Sequence, residues 1–337
     1  MMNDLAMSVH VLAPGRVNLI GDHTDYTGGL VLPMAIDRYT EIRGTRTGDR
    51  VQLSSSDEEV AVDLPLVVER PQDVEPAWGK YVAGVVSEMR HPYGLHGHVA
   101  TDIPIGAGLS SSAALEVAVA LALGFTGSPL ELAQLCQRAE NRASGVPSGI
   151  MDQLAIAAGV AGHALLIDCG ELTVEPIALP RGVEIVVQFI EHRTLVGSPY
   201  SDRVAECAAA EQLIGPLRHA TMATAKSIAD PVVRARAMHV TGENRRVIDF
   251  AEAIRAGDLR DAGSLMMQSH ASLRDLYATS TPAMDAAVAR VVATPGVFGA
   301  RMTGGGFGGC IVALTEPGAL LRGWVVQAVA GAVAITA

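Results

Sequence analysis

Residues 98–124 encode a strand that runs through a glycine- and serine-rich turn into a long apolar helix. The strand is expected over 98–101, the turn is Pro104-Ile105-Gly106-Ala107-Gly108-Leu109-Ser110-Ser111-Ser112, and the helix covers 113–124. Gly106 and Gly108 let backbone approach a ligand closely, and a helix start offers unpaired N–H groups with a partial positive charge. Such a junction suits a phosphate; a serine-rich N-cap is the plain structural alternative. The chain holds only two lysines, Lys80 and Lys226, and neither lies in G-x-x-x-x-G-K-[ST], so the turn is not a Walker loop. Protein-kinase H-R-D and D-F-G signatures are absent, as is G-x-G-x-x-G after the first strand. Phosphates would be held by backbone, serine hydroxyls and metal.

Two further glycine clusters flank this junction in sequence. Arg301-Met302-Thr303-Gly304-Gly305-Gly306-Phe307-Gly308-Gly309-Cys310 lies between two apolar strands, and its glycines permit backbone geometry closed to other residues. A flexible hairpin is the alternative. Near the N-terminus, residues 14–29 read as turn-rich and gather Arg16, Asn18, Asp22, His23 and Asp25 between glycines. Fixed donors and acceptors of this kind suit a pocket for a polyol; metal binding by His23 and Asp25 is the competing idea.

At 337 residues the chain favours two domains or two lobes, and 49% hydrophobic against 18% charged residues supplies a core and excludes disorder. Strands are expected over 9–13, 36–43, 51–54, 164–168 and 183–189, and helices over 75–89, 129–143, 149–158, 200–214, 231–255 and 258–277. A strand-loop-strand over 297–314, a last helix over 318–329 and a strand over 333–336 complete the chain. This order is α+β in two lobes, 1–180 and 181–337, divided within 176–182. Four widely spaced cysteines without a C-x-x-C pair fit a reducing cytoplasm. A charge of −11 disfavours nucleic acid and anionic membrane, residues 1–8 carry no leader pattern, and the apolar run 113–125, broken by Glu116, is too short to span a bilayer.

The three glycine motifs in this order resemble the GHMP kinase superfamily. Within it, residues 15–29 are similar to the galactokinase signature G-R-V-N-L-I-G-E-H-T-D-Y-N-G-G, and the segments 78–85, 149–153, 162–169, 269–277 and 296–310 also look like galactokinase segments. The resemblance implies a ribosomal-protein-S5-like N-terminal lobe, a ferredoxin-like C-terminal lobe and an active site between them. It implies a monomeric kinase acting on ATP and a monosaccharide, with Asp152 as the catalytic aspartate and Arg16 beside the transferred phosphoryl group. Asp22, His23, Asp25, Gly149 and Tyr200 match sugar-contacting positions. Gly106, Ala107, Gly108, Leu109, Ser110, Ser111 and Ser112 would wrap the ATP phosphates, with Ser112 and Glu140 as Mg²⁺ contacts. Three departures stand out: Asp22 replaces the usual glutamate, Ser148 replaces a common cysteine, and residues 188–193 differ from D-T-N-V-R-H. Another hexose, an N-acetylhexosamine or a cyclitol is the alternative substrate, and a non-catalytic sugar sensor is the alternative class.

Overall fold

The computed structural model describes residues 6–192 and 199–335. Arg193 and Thr336, which close the 188–193 departure and end the last expected strand, lie outside the described residues.

The first half contains β1 (Met7–Asn18), β2 (Leu30–Val31), β3 (Pro33–Arg46), β4 (Arg50–Ser55), β5 (Val62–Pro65), α1 (Gly79–Met89) and β6 (Leu95–Thr101). It continues with α2 (Ser111–Ala122), α3 (Pro129–Ser144), α4 (Met151–Ala158), β7 (His163–Asp168) and β8 (Thr173–Ala178). The second half contains β9 (Glu184–Glu191), α5 (Tyr200–Ile214), α6 (Met222–Lys226), α7 (Pro231–Ala256), α8 (Leu259–Ser272) and a π-helical turn Leu273–Tyr277. It ends with α9 (Pro282–Val292), β10 (Val297–Met302), β11 (Gly309–Thr315), β12 (Trp324–Val326) and β13 (Val333–Ala334).

One sheet has the order β13-β1-β3-β6-β4-β5, with β4 and β6 parallel and joined through β5 and α1. A small sheet, β2-β7-β8, lies beside it. The antiparallel sheet of the second half has the order β10-β11-β9-β12, which is the ferredoxin-like order when its strands are counted from β9. Apolar on every face, α2 is buried on all sides, against β1 and β3 and among α1, α3 and α4. The larger core continues from there to Phe250 and Ile254 of α7 and Val312 of β11, so it joins the two halves.

Several segments differ from their sequence expectation, the short elements β2, β5 and α6 among them. The turn-rich stretch 14–29 begins as strand: β1 runs on to Asn18 across a bulge between Pro14 and Gly15, the kind of site where a strand tolerates proline. The expected helix 318–329 does not form, because Gly318 and Gly323 take left-handed φ of 72° and 104° and residues 324–326 pair with β9 instead. β8 was not expected; it carries Pro176 without penalty because it is the edge of its sheet. α9 was not expected either, although Thr281 caps it and Pro282 opens it. The chain end then returns to the first half, where β13 pairs with β1.

Gly263 of α8 packs directly on Gly299 of β10, and a Cβ on Gly263 would collide with the backbone carbonyl of Phe298. Backbone cannot rotate away as a side chain can, so Gly263→Ala should lower stability by about 2 kcal/mol or more. A fall in the denaturant midpoint followed by circular dichroism checks this, and an unchanged midpoint would refute the close packing.

Candidate active site

The three motifs meet in one cleft of about 770 Å³. Past the bulge, β1 turns Arg16 inward until it is only 3% exposed. Its Nε and Nη2 donate to Asp152 Oδ1 and Oδ2, both at 2.7 Å, while Nη1 donates to the Gly108 carbonyl at 2.6 Å. A guanidinium fork of this kind fixes both the position and the plane of a carboxylate. Ser110 donates a further short bond to Asp152 Oδ2. Asp152 sits in the first turn of α4 but does not cap it, and its side chain keeps 27% exposure, facing the cleft.

The turn before α2 takes the left-handed conformation at Gly106, Gly108 and Ser110, with φ of 75°, 79° and 63°. Ser110, the N-cap residue, makes no side-chain cap bond because its hydroxyl is turned to Asp152. The N-cap alternative is therefore set aside: the first amides of α2 have no side-chain cap. Gly106, Gly108, Ser110, Ser111 and Ser112 line the cleft, whereas the side chains of Ala107 and Leu109 point into the core. A helix start with free amides and a partial positive charge is suited to an anion.

Behind this turn, Glu140 of α3 accepts from Ser112 at 3.4 Å, Ser148 at 3.2 Å and Gln153 at 2.7 Å. Burial, and then the charge of Asp152, push its carboxyl above the ordinary range. Gln153 also donates to Glu116 at 3.3 Å, whose carboxyl burial and Glu140 push up further. The donors around Glu140 are neutral, so a cation beside Ser112 would relieve its electrostatic strain. Among the described residues no three His, Cys, Asp or Glu side chains form a metal cage. Two protein oxygens next to a turn suited to an anion also suit a hard cation that completes its shell with water and that anion.

At the far side of Asp152 lie the residues of the first motif. Asp25 is half-buried, and desolvation followed by the negative charge of Asp152 raises its carboxyl to about 7. Gly149 has no room for a side chain, since a Cβ there would collide with the Asp25 carboxylate. His23 donates from Nε2 to the Gly305 carbonyl at 3.2 Å, and Tyr26 donates to its Nδ1 at 3.0 Å. Both ring nitrogens are thus occupied, which removes the idea of a metal on His23 and Asp25. Tyr200 packs with its ring centroid 5.5 Å from that of His23. Asp22 lines the cleft at its floor, where it accepts the Gly304 amide at 2.9 Å and meets Arg301.

The opposite end of the cleft escaped the sequence reading. Trp78, Lys80, Tyr81, Val99, Ile105 and Val146 line it beyond the glycine turn. Trp78 and Tyr81 fit the apolar period of a helix, yet each is half-exposed. The available signal was rarity: this is one of two tryptophans in the chain.

These features define a class of protein. Models of the GHMP kinases N terminal domain and of the GHMP kinases C terminal match residues 80–160 and 250–322, and a mevalonate kinase structure shares the fold with a TM-score of 0.68 at 21% identity over 92% of each chain. A galactokinase galactose-binding signature matches residues 6–45. A galactokinase of Chloroflexus aggregans is 42% identical, covering 90% of this chain and 83% of its own. One from a Roseiflexus species is 44% identical, covering 91% and 83%. The crystal structure of Lactococcus lactis galactokinase complexed with galactose superposes with a TM-score of 0.89 at 31% identity, covering 97% and 95%. The chain belongs to the galactokinase family.

Asp25 gives the site a pH signature. Its ordinary value near 3.8 is raised to about 7 in the fold, so the stability tied to its protonated form is full below about 4 and is lost as pH rises through 7. Asp25→Asn should remove that slope, so its melting temperature should rise relative to the parent's between pH 5 and 8. Parallel melting curves across this range would contradict the raised value.

Proposed function

We propose that the protein transfers the γ-phosphoryl group of ATP to the anomeric hydroxyl of galactose. The observation that carries this reading is the Arg16–Asp152 fork, placed between a phosphate turn on one side and the signature residues on the other. As the galactose C1 oxygen attacks the γ-phosphorus, the new O–P bond forms, the bond to the β–γ bridging oxygen breaks, and ADP leaves. The hydroxyl proton passes to Asp152, whose plane and position Arg16 and Ser110 maintain. Arg16 is tied at the same time to Gly108, so base and phosphate turn keep a fixed spacing.

Asp25 and the Gly149 backbone suit recognition of galactose hydroxyls, with the Tyr200 ring covering the same end. The amides and hydroxyls of 106–112 suit the triphosphate, and the Trp78 and Tyr81 rings suit the adenine. Ser112 and Glu140 would hold Mg²⁺, which when bound neutralises charge on the phosphates. In this reading residues 1–180 carry the nucleotide and the base, and residues 181–337 close the sugar end through Tyr200 and Gly304–Gly305. No helix among the described residues is long and apolar enough to cross a membrane, and the four unpaired cysteines suit the cytoplasm.

Asp152→Asn keeps the shape of the side chain but cannot take up the proton. It should abolish ADP release while galactose affinity by calorimetry stays within about tenfold. Near-parental turnover would remove Asp152 from catalysis. Trp78→Ala should raise the KM for ATP by about tenfold or more and leave that for galactose nearly unchanged, because only the nucleotide end loses its ring. Equal rises in both would place Trp78 in lobe packing.

A further inference from the structure

Arg301, in β10 just before the glycine-rich loop, is the largest fully buried side chain of the described residues, at 0% exposure. A guanidinium does not shed its charge, so the fold must answer it with carboxylates. Nη2 lies 2.5 Å from Asp22 Oδ2 and 3.9 Å from Glu243 Oε1. The nearer contact is an ion pair off the hydrogen-bond axis, and no Arg301 nitrogen has an aligned acceptor among the described residues. Asp22 is therefore its nearest carboxylate, and the guanidinium works against the burial that pushes the Asp22 carboxyl up. The other Asp22 oxygen accepts the Gly304 amide at 2.9 Å, and the side chain is only 2% exposed.

The backbone beside Asp22 is fixed from a different direction. His239 Nε2 donates to the Asp22 carbonyl at 3.2 Å, with Ser272 donating to Nδ1 at 2.8 Å. One turn along α7, Glu243 accepts the Gly21 amide at 3.1 Å and pairs with Arg246 at 2.7 Å. Residues 21 and 22 are thus tethered to α7 through their backbone, while the Asp22 carboxylate reaches across to β10 and the loop. The loop then acts on the cleft: Gly304 and Gly305 form part of its wall, and the Gly305 carbonyl sets the ring of His23.

We propose that Asp22 and Arg301 form a buried clamp that fixes the Gly304–Gly305 wall and, through it, His23. Position 22 then determines sugar acceptance by placing that wall, not by a hydrogen bond of its own to the sugar. The inference rests on the sugar-kinase reading of the cleft but concerns a different pair of residues. Asp22 and Arg301 are positioning residues, and each needs the other. Leaving one charge buried alone is costly, whereas neutralising both is tolerated far better.

The test is a double-mutant cycle of Asp22→Asn, Arg301→Met and the pair together, with steady-state kinetics and circular dichroism on each. Each single change should raise the KM for galactose at least about tenfold while moving that for ATP by less than about threefold; the double variant should fall well short of the product of the singles. Asp22→Glu keeps the charge but adds a methylene to a filled site, so it too should raise the galactose KM, and it serves if a single neutral variant fails to fold. Singles that multiply, or an Asp22→Glu variant with a lower galactose KM, would overturn the clamp. If the parent does not turn over galactose, the proposed substrate fails on its own, and the same cycle is run with the hexose that it does phosphorylate.

Discussion

The fork between Arg16 and Asp152 is the contact on which the geometry of the cleft depends. It joins β1 to the turn before α2 and to the first turn of α4, which lie 92 and 136 positions beyond Arg16 along the chain. Each part is shaped for the others. The bulge at Pro14 and Gly15 admits the turn, since a Cβ on Gly15 would lie 2.9 Å from the Leu109 carbonyl, and the Arg16 amide donates to that same carbonyl at 3.1 Å. Ser110 gives up its capping role to complete the carboxylate, and this leaves the amides of α2 without a side-chain cap. One arrangement therefore provides both a held acceptor and an anion site.

Carboxylates cluster around this contact, and most sort by their neighbours into two kinds; Asp22 is the exception, pushed up by burial although Arg301 and Arg16 face it. Burial would raise Glu243, but Arg246, His239 and Arg301 outweigh it and hold the carboxyl down at about 2, as befits a structural anion. Asp25, Glu116 and Glu140 have acids for neighbours, so burial and repulsion act together and raise them. The second kind lies along the cleft and beneath the phosphate turn. Raised acids of this sort are common where a site receives a cation or a hydroxyl-rich ligand.

The parts of the fold legible in the sequence were those fixed by local chemistry. Gly106 and Gly108 need left-handed backbone, and α2 is too apolar to lie anywhere but in the core, so the turn and helix could be read from composition alone. The strand from Pro14 to Asn18 could not, because its pairing with β3 is a long-range contact and its own residues look like a turn. The same holds for 324–326, whose apolar spacing suits a helix but whose place is decided by the open edge of β9. In the site, the polar residues of the N-terminal motif and the glycine turn carried a legible role, whereas three others did not. Trp78 and Tyr81 carry only the period of a helix, and Arg301 opens the last glycine motif with no visible role until the end of β10 is seen buried.

In the proposed reaction Asp152 faces the anomeric hydroxyl, with the glycine turn and its triphosphate directly across the fork. The position of the phosphate in the product tests this most directly. Galactose labelled with ¹³C at C1, incubated with the protein, ATP and Mg²⁺, should give a product whose ³¹P resonance is split by the labelled carbon. A phosphate attached to any other carbon, or no phosphorylated sugar at all, would contradict it.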